Sequence, residues 1–137
     1  MATAAKVQWL WDIRYIDAPV LRWRDADSNS ENGLEETLYY CNDANMNVTA
    51  LVNTSGAVME RVVYDPYGKP RFYDGSWANP SDTSVYANEI LYCGYRLDPE
   101  TGMYQVRHRE SDSRLRYSLL LLGMWRSASI SRMRRGR

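Results

Sequence analysis

Residues 57–73 read "AVMERVVYDPYGKPRFY", and this stretch decides the fold. Branched and aromatic residues fill 57–64, and a shorter run of the same kind follows after residue 68. Between them stands Asp65-Pro66-Tyr67-Gly68. Asp first, Pro second and Gly fourth are the preferred residues of a type I turn. Two β-prone runs flanking such a turn predict an antiparallel hairpin. The same residues also suggest a small site, with one carboxylate between the Tyr64 and Tyr67 rings as a platform for sugar. Glycoside hydrolysis, however, uses two opposed carboxylates, and the sequence places no second acid beside Asp65. Asp98 has its own turn to start. The turn is the better reading: Asp65 caps it, Pro66 presets its φ, Gly68 completes it, and Tyr64 packs against the next repeat.

Working outward, the same grammar recurs. "TLYYC" (37–41) and "VTALV" (48–52) read as strands around the Asn/Asp-rich "NDANMN" (42–47), and "NTSG" (53–56) ends the second. A Gly/Ser/Asn/Pro loop covers 74–88, and "NEILYCGYR" (88–96) reads as another strand. "DPETG" (98–102) repeats the turn chemistry with one more residue, so Asp98 and Pro99 open a turn whose Gly102 closes a bulge. "MYQVRHR" (103–109), containing Tyr104, is its partner strand. "VQWLWDIRYIDAPVLRWR" (7–24) reads as one or two strands broken near Pro19. Asp43 and Asp65 lie 22 residues apart, each after a Tyr-containing strand, and Asp98 begins a third instance at a longer interval. A period near this length marks stacked or spiralling arrays, whose single unit cannot bury its own apolar face.

The expected organisation is a strand-rich leading segment (1–24), an acidic loop (25–36), antiparallel hairpins (37–109) and a basic tail (110–137), irregular or weakly helical. The class is all-β. Eleven Tyr and five Trp in 137 residues suit pleated sheet. No apolar run approaches the ~18 residues of a membrane-spanning helix. The first residues lack the sustained apolar core of a signal peptide. Zero net charge hides an asymmetry: residues 107–137 carry nine Arg against Glu110 and Asp112, a local +7. Cys41 and Cys93 sit in Tyr-rich runs without metal-ligand spacing, and two buried free thiols are expected.

Other candidate sites read weakly. Asp25, Asp27 and Asn29 hold positions 1, 3 and 5 of a calcium-loop count, with Glu36 at position 12. Ser30 replaces the turn Gly at position 6 and the flanks are strands, so a solvated loop is expected there. His108 is the only histidine and has no nucleophile motif beside it. Asn47-Val48-Thr49 and Asn53-Thr54-Ser55 match a glycosylation pattern, but the asparagines suit turns. No catalytic residue, cofactor or metal is expected.

Taken together, "YYCNDANMNVTALVNTSGAVMERVVYDPYGKPRFYDG" and "ILYCGYRLDPETGMYQVRHR" resemble the end of an RHS/YD-repeat protein, where the repeats lead into the RHS-associated core. The resemblance rests on Tyr64-Asp65 with Gly68, Asn47-Val48-Thr49-Ala50-Leu51, Tyr95-Arg96 ahead of Asp98-Pro99-Glu100-Thr101-Gly102, and Tyr104 with Arg107 and Arg109. It implies a β-ribbon spiralling into a hollow shell that encloses a variable, often toxic, C-terminal polypeptide. On that basis the chain is a non-catalytic fragment of the shell wall. Its partners would be further repeats, or other copies through open sheet edges. The alternative is a module binding carbohydrate through its Tyr/Trp surface or nucleic acid through its Arg-rich tail.

Met46 stands where the repeat usually has Gly, and Asn42 where it has Tyr. The resemblance stops near Arg109. No Asp follows Asp112, so the family's self-cleaving aspartates have no counterpart and self-cleavage is not expected. The abrupt change of composition suggests a frameshift or recombination break in a larger gene. A short variable C-terminus and a selected nucleic-acid or membrane tail are the alternatives.

Overall fold

The computed structural model describes residues 5–29, 31–106, 109–112 and 117–118, the last two groups in backbone only. Six strands follow one another as a meander: β1 (Val7–Trp11), β2 (Pro19–Arg24), β3 (Glu36–Asn42), β4 (Val48–Asn53), β5 (Val58–Tyr64) and β6 (Pro70–Asp74). Each pairs antiparallel with the next, so spatial order equals chain order. The local cause is turn chemistry. Asp43, Asn53, Asp65 and Asp74 each start a tight turn, alternately at the two ends of the sheet. In each turn the first residue's N–H donates to the carbonyl four residues on, at 3.0–3.1 Å. Its own carbonyl accepts the N–H three residues on, at 3.0–3.1 Å. Such a pattern is a type I turn closed by a left-handed residue, a common hairpin connection.

Strand period does the rest. Leu38 and Tyr40 of β3, Leu51 of β4, Val62 of β5 and Phe72 of β6 fall on one face and are buried. Burying a side chain such as Leu51 completely is worth about 1.5–3 kcal/mol. Bulges after Leu10, Cys41 and Leu51 shift the register and add twist.

A second antiparallel sheet has the order β10–β9–β8–β7, built from β7 (Arg96–Leu97), β8 (Met103–Val106), β9 (Arg109–Asp112) and β10 (Tyr117–Ser118). Two apolar clusters result. Leu38, Tyr40, Val48, Leu51 and Ile90 form one; Val62, Phe72, Leu91, Tyr104 and Val106 form the other. Ile90 and Leu91 are consecutive, so one peptide unit belongs to both. The β6 edge is covered in part, because Phe72 exchanges two 2.9 Å backbone hydrogen bonds with Ser81. The β1 edge pairs with no strand among the described residues.

Several expectations need correction. Residues 88–96 do not form one strand: Ile90 and Arg96 make an isolated bridge, and Tyr92–Gly94 is a 3-10 turn. Cys93 and Gly94 both have positive φ, 53° and 71°. A Cβ on Gly94 would meet the Asp17 carbonyl oxygen, so the chain must bend here. Buried Ile90 and Leu91 lie across the sheet face rather than in a ladder, an ambiguity short apolar runs always carry. Of the partner strand expected over 103–109, Met103–Val106 form β8 and Arg109 belongs to β9, paired back on Val106, while 107–108 lie outside the described residues. Residues 110–112 and 117–118, expected to be irregular or helical, are strand residues paired within this sheet. The first break lies at 12–18, with Pro19 opening β2. The acidic loop yields its last residue, Glu36, to β3. Both cysteines are free, but neither is buried: Cys93 is half-buried and Cys41 exposed, the latter because it alternates with buried Leu38 and Tyr40 along β3. No helix among the described residues is long and apolar enough to cross a membrane.

Candidate functional site

The sequence-selected residues divide between two places. At the first, Asp65 presents one carboxylate oxygen to the N–H groups of Tyr67 (2.8 Å) and Lys69 (2.9 Å). The Lys69 N–H leads the contacts that hold this carboxyl below the ordinary aspartate range. Pro66 supplies the second turn position. Gly68 takes φ +89°, and a Cβ there would lie 2.7 Å from the Tyr92 ring. Glycine is needed at Gly68 twice over, for its dihedral and for that ring.

The Tyr92 ring sits between Tyr64 (5.6 Å between centroids) and Tyr104 (6.1 Å), tilted against each. The hydroxyls of the outer two point into backbone. Tyr64 Oη donates to the Val48 carbonyl at 2.7 Å, and Tyr104 Oη to the Gly68 carbonyl at 2.8 Å. Burial pushes both phenols above their ordinary range, which keeps them protonated donors. Tyr64, Gly68 and Tyr104 are thus brought together as a lock between the two sheets. Tyr92, its centre, was hidden by the strand reading of 88–96.

At the second place, Asp98 starts the longer turn. Its carboxylate accepts from the Glu100 N–H at 3.0 Å and the Thr101 hydroxyl at 2.7 Å. The Thr101 bond is the main reason its carboxyl titrates low. Gly102, at φ +70°, donates to the Asp98 carbonyl at 2.8 Å. Pro99 and Gly102 line a cavity of about 390 Å³ together with Phe72, Asn88 and Leu97.

Two buried charges form a third feature, absent from the sequence reading. Arg22 on β2 is 1% exposed and Glu60 on β5 is 2% exposed. The Arg22 guanidinium donates to the carbonyls of Ala87 (3.0 Å) and Tyr86 (2.7 Å) and to Glu36 (3.3 Å). The Glu60 carboxylate accepts from the Ser84 hydroxyl at 2.7 Å and the Val85 N–H at 3.0 Å. Together they clamp residues 84–87 over the first apolar cluster. Desolvation raises the Glu60 carboxyl above its ordinary range, against the pull of Ser84, Val85 and Arg22. Strand parity was the available signal: Glu60 shares its face with Val62 and Tyr64.

Asp25, Asp27 and Glu35 bring carboxylate oxygens within 4.8 Å of one another. Glu36, assigned by the calcium-loop count, instead bonds Arg22 and Arg24, so that ligand set does not assemble. Asn47 and Asn53 serve turns and backbone, Asn47 by accepting the Cys93 N–H at 2.8 Å. His108 and the arginines of the tail lie outside the residues whose side chains are described.

No family model matches the chain. Over 87 residues, 64% of its length, it is 31% identical to the tRNA3(Ser)-specific nuclease WapA of Bacillus spizizenii. The matched region spans 3% of that protein.

Proposed function

We propose that this chain is a stretch of wall from an RHS/YD-repeat β-shell, whose work is enclosure and presentation of a C-terminal effector. The observation that carries this reading is the turn at Asp43, Asn53, Asp65 and Asp74. One hydrogen-bond pattern, applied four times at alternating ends, makes a ribbon that further repeats can extend. The similarity to a much longer nuclease supports a toxin-related setting. The nuclease activity named for that relative is not assigned to these residues. The carboxylates of Asp65, Asp74 and Asp98 are occupied by turn N–H and hydroxyl groups, and Tyr64 and Tyr104 by backbone carbonyls.

Incubating the purified chain with tRNA tests the non-catalytic part, with no cleavage expected. Cleavage that co-purifies with the chain and disappears in His108→Ala would overturn it. The wall reading is tested by sedimentation, since an open β1 edge invites pairing with another strand. Self-association weakened by Val7→Pro is expected, because Lys6 and Asp25 form a hydrogen-bonded pair and the Val7 N–H therefore faces the open edge. A strictly monomeric chain at all concentrations would count against an extendable ribbon.

A further inference from the structure

The chain contains two dipeptides prone to succinimide chemistry, Asn32-Gly33 and Asp74-Gly75. Their environments are opposite. Asn32 and Gly33 are both exposed, and Gly33, at φ +77°, has nothing within 4 Å of where a Cβ would stand. The Asn32 side-chain amide donates to Asp27 at 2.9 Å. At the other dipeptide, the Asp74 carboxylate accepts from the Ser76 N–H (2.9 Å), the Ser76 hydroxyl (2.7 Å), the Ala78 N–H (2.8 Å) and the Asn79 amide (2.8 Å). The Gly75 carbonyl receives the Arg61 Nε–H at 3.0 Å. Gly75 is also pressed against β5, where a Cβ would meet the Val58 carbonyl oxygen.

We infer that Asn32–Gly33 is a site of spontaneous deamidation in the folded protein, and that folding protects Asp74–Gly75 from the parallel isomerisation. The Gly33 backbone nitrogen attacks Cγ of Asn32. That N–C bond forms, the Cγ–Nδ2 bond breaks, and Nδ2 leaves as ammonia carrying the proton from the Gly33 N–H. Water then adds to one carbonyl of the five-membered imide and breaks one of its two C–N bonds. The product is aspartate, or isoaspartate with the main chain rerouted through the side chain. Glycine matters because it leaves the attacking nitrogen unhindered and the backbone free to rotate. Ring closure at Asp74 would instead require protonating a carboxylate held by four donors and turning a backbone wedged against β5.

The product changes the loop electrostatically. It replaces the amide donor to Asp27 with a carboxylate, beside the cluster that Asp25, Asp27 and Glu35 already form. Like charges at this spacing repel, so the modified loop 25–35 opens relative to the original.

Peptide mapping by mass spectrometry tests the inference, using the full chain aged at mildly alkaline pH for Asn32 and at mildly acidic pH, where a carboxyl can close the ring, for Asp74. Asn32 should gain the mass of an NH2-to-OH exchange many-fold faster than exposed Asn45, with isoaspartate among the products. Asp74 should remain α-linked aspartate over the same time. Conversion of Asn32 no faster than Asn45, or isomerisation of Asp74 alongside it, overturns the inference. Repeating the ageing in denaturant should release isomerisation at Asp74–Gly75. If Asp74 stays inert in the unfolded chain, its protection was not structural and that half fails. Gly33→Ala should slow the Asn32 reaction several-fold, and an unchanged rate would refute the role given to Gly33.

Discussion

Residues 36–74 and residues 81–97 lie against each other and are specified in opposite ways. In the first region each turn is written by a carboxylate or amide reaching its own neighbours two and four residues on. In the second, the chain has little regular pairing of its own. It is positioned by groups far away in sequence, namely Arg22, Glu60 and the Gly68–Tyr92 contact. Local instructions survive the loss of one member; a loop held by a few distant buried groups does not.

The sharpest way to break the contrast is Arg22→Ala. Removing one member of a buried, hydrogen-bonded charge set costs about 3–5 kcal/mol, because the Tyr86 and Ala87 carbonyls lose their donor while Glu36 keeps only Arg24. Urea denaturation should show that loss, with residues 84–87 the first to gain hydrogen exchange. A loss below about 1 kcal/mol, the scale of an exposed pair, would mean the clamp does not hold the loop.

Next comes a matched pair of glycine substitutions. Gly68→Val combines a left-handed φ with a collision on the Tyr92 ring and should cost about 3 kcal/mol. Gly56 has nearly the same φ, +85°, and open space around it, so Gly56→Val should cost only about 1–2 kcal/mol. Equal losses in thermal or urea unfolding would remove Tyr92 from the explanation.

Met46 and Trp77 occupy the same left-handed turn position with side chains, at φ 62° and 68°. Met46→Gly should therefore stabilise by about 1 kcal/mol. Trp77→Gly should gain less, because the Trp77 ring carries the Arg61 guanidinium 4.9 Å from its centroid and packs on Tyr73.

The smallest effects concern pH. The Glu60 carboxyl is raised, so the folded protein binds its proton more tightly than the unfolded chain, and this contribution to stability grows as pH falls through the raised value. The turn carboxyls Asp65, Asp74 and Asp98 are lowered, Asp74 chiefly by the Ser76 hydroxyl. Their contribution is lost as pH falls below the ordinary 3.8 of aspartate. Melting temperature should thus rise slightly on mild acidification and then fall. Glu60→Gln should remove the rise alone, and Asp65→Asn, which keeps an accepting oxygen, should cost less than about 1 kcal/mol.

What the sequence made legible follows the same division. The hairpins over 37–74 could be read because Asp65, Pro66 and Gly68 act within five residues of one another. Asn53-Thr54-Ser55-Gly56 also reads as a turn between strands, whereas the same turn at Asp74 is hidden within the 74–88 loop because Trp77, not Gly, holds its left-handed position. The strand expected at 88–96 failed because an apolar run carries no record of whether it pairs or crosses a face. Strand parity puts Glu60 on the face of Val62 and Tyr64, but the burial of that face at Glu60, and of Arg22, follows from how β2 and β5 align with β3 and β4. Tyr92 could be assigned only once the path of 88–96 was known.

The consecutive residues Ile90 and Leu91 have a mechanical consequence. Ile90 is anchored among side chains of β3 and β4, and Leu91 among those of β5, β6 and β8, while the Leu91 carbonyl receives the Val48 N–H at 3.1 Å. Load applied along β8 reaches β4 by two short routes, this peptide plane and the Tyr104–Tyr92–Tyr64 ring stack that ends on the Val48 carbonyl. The two sheets should therefore share one rupture event under a pulling force, with the joint acting as a rivet between plates.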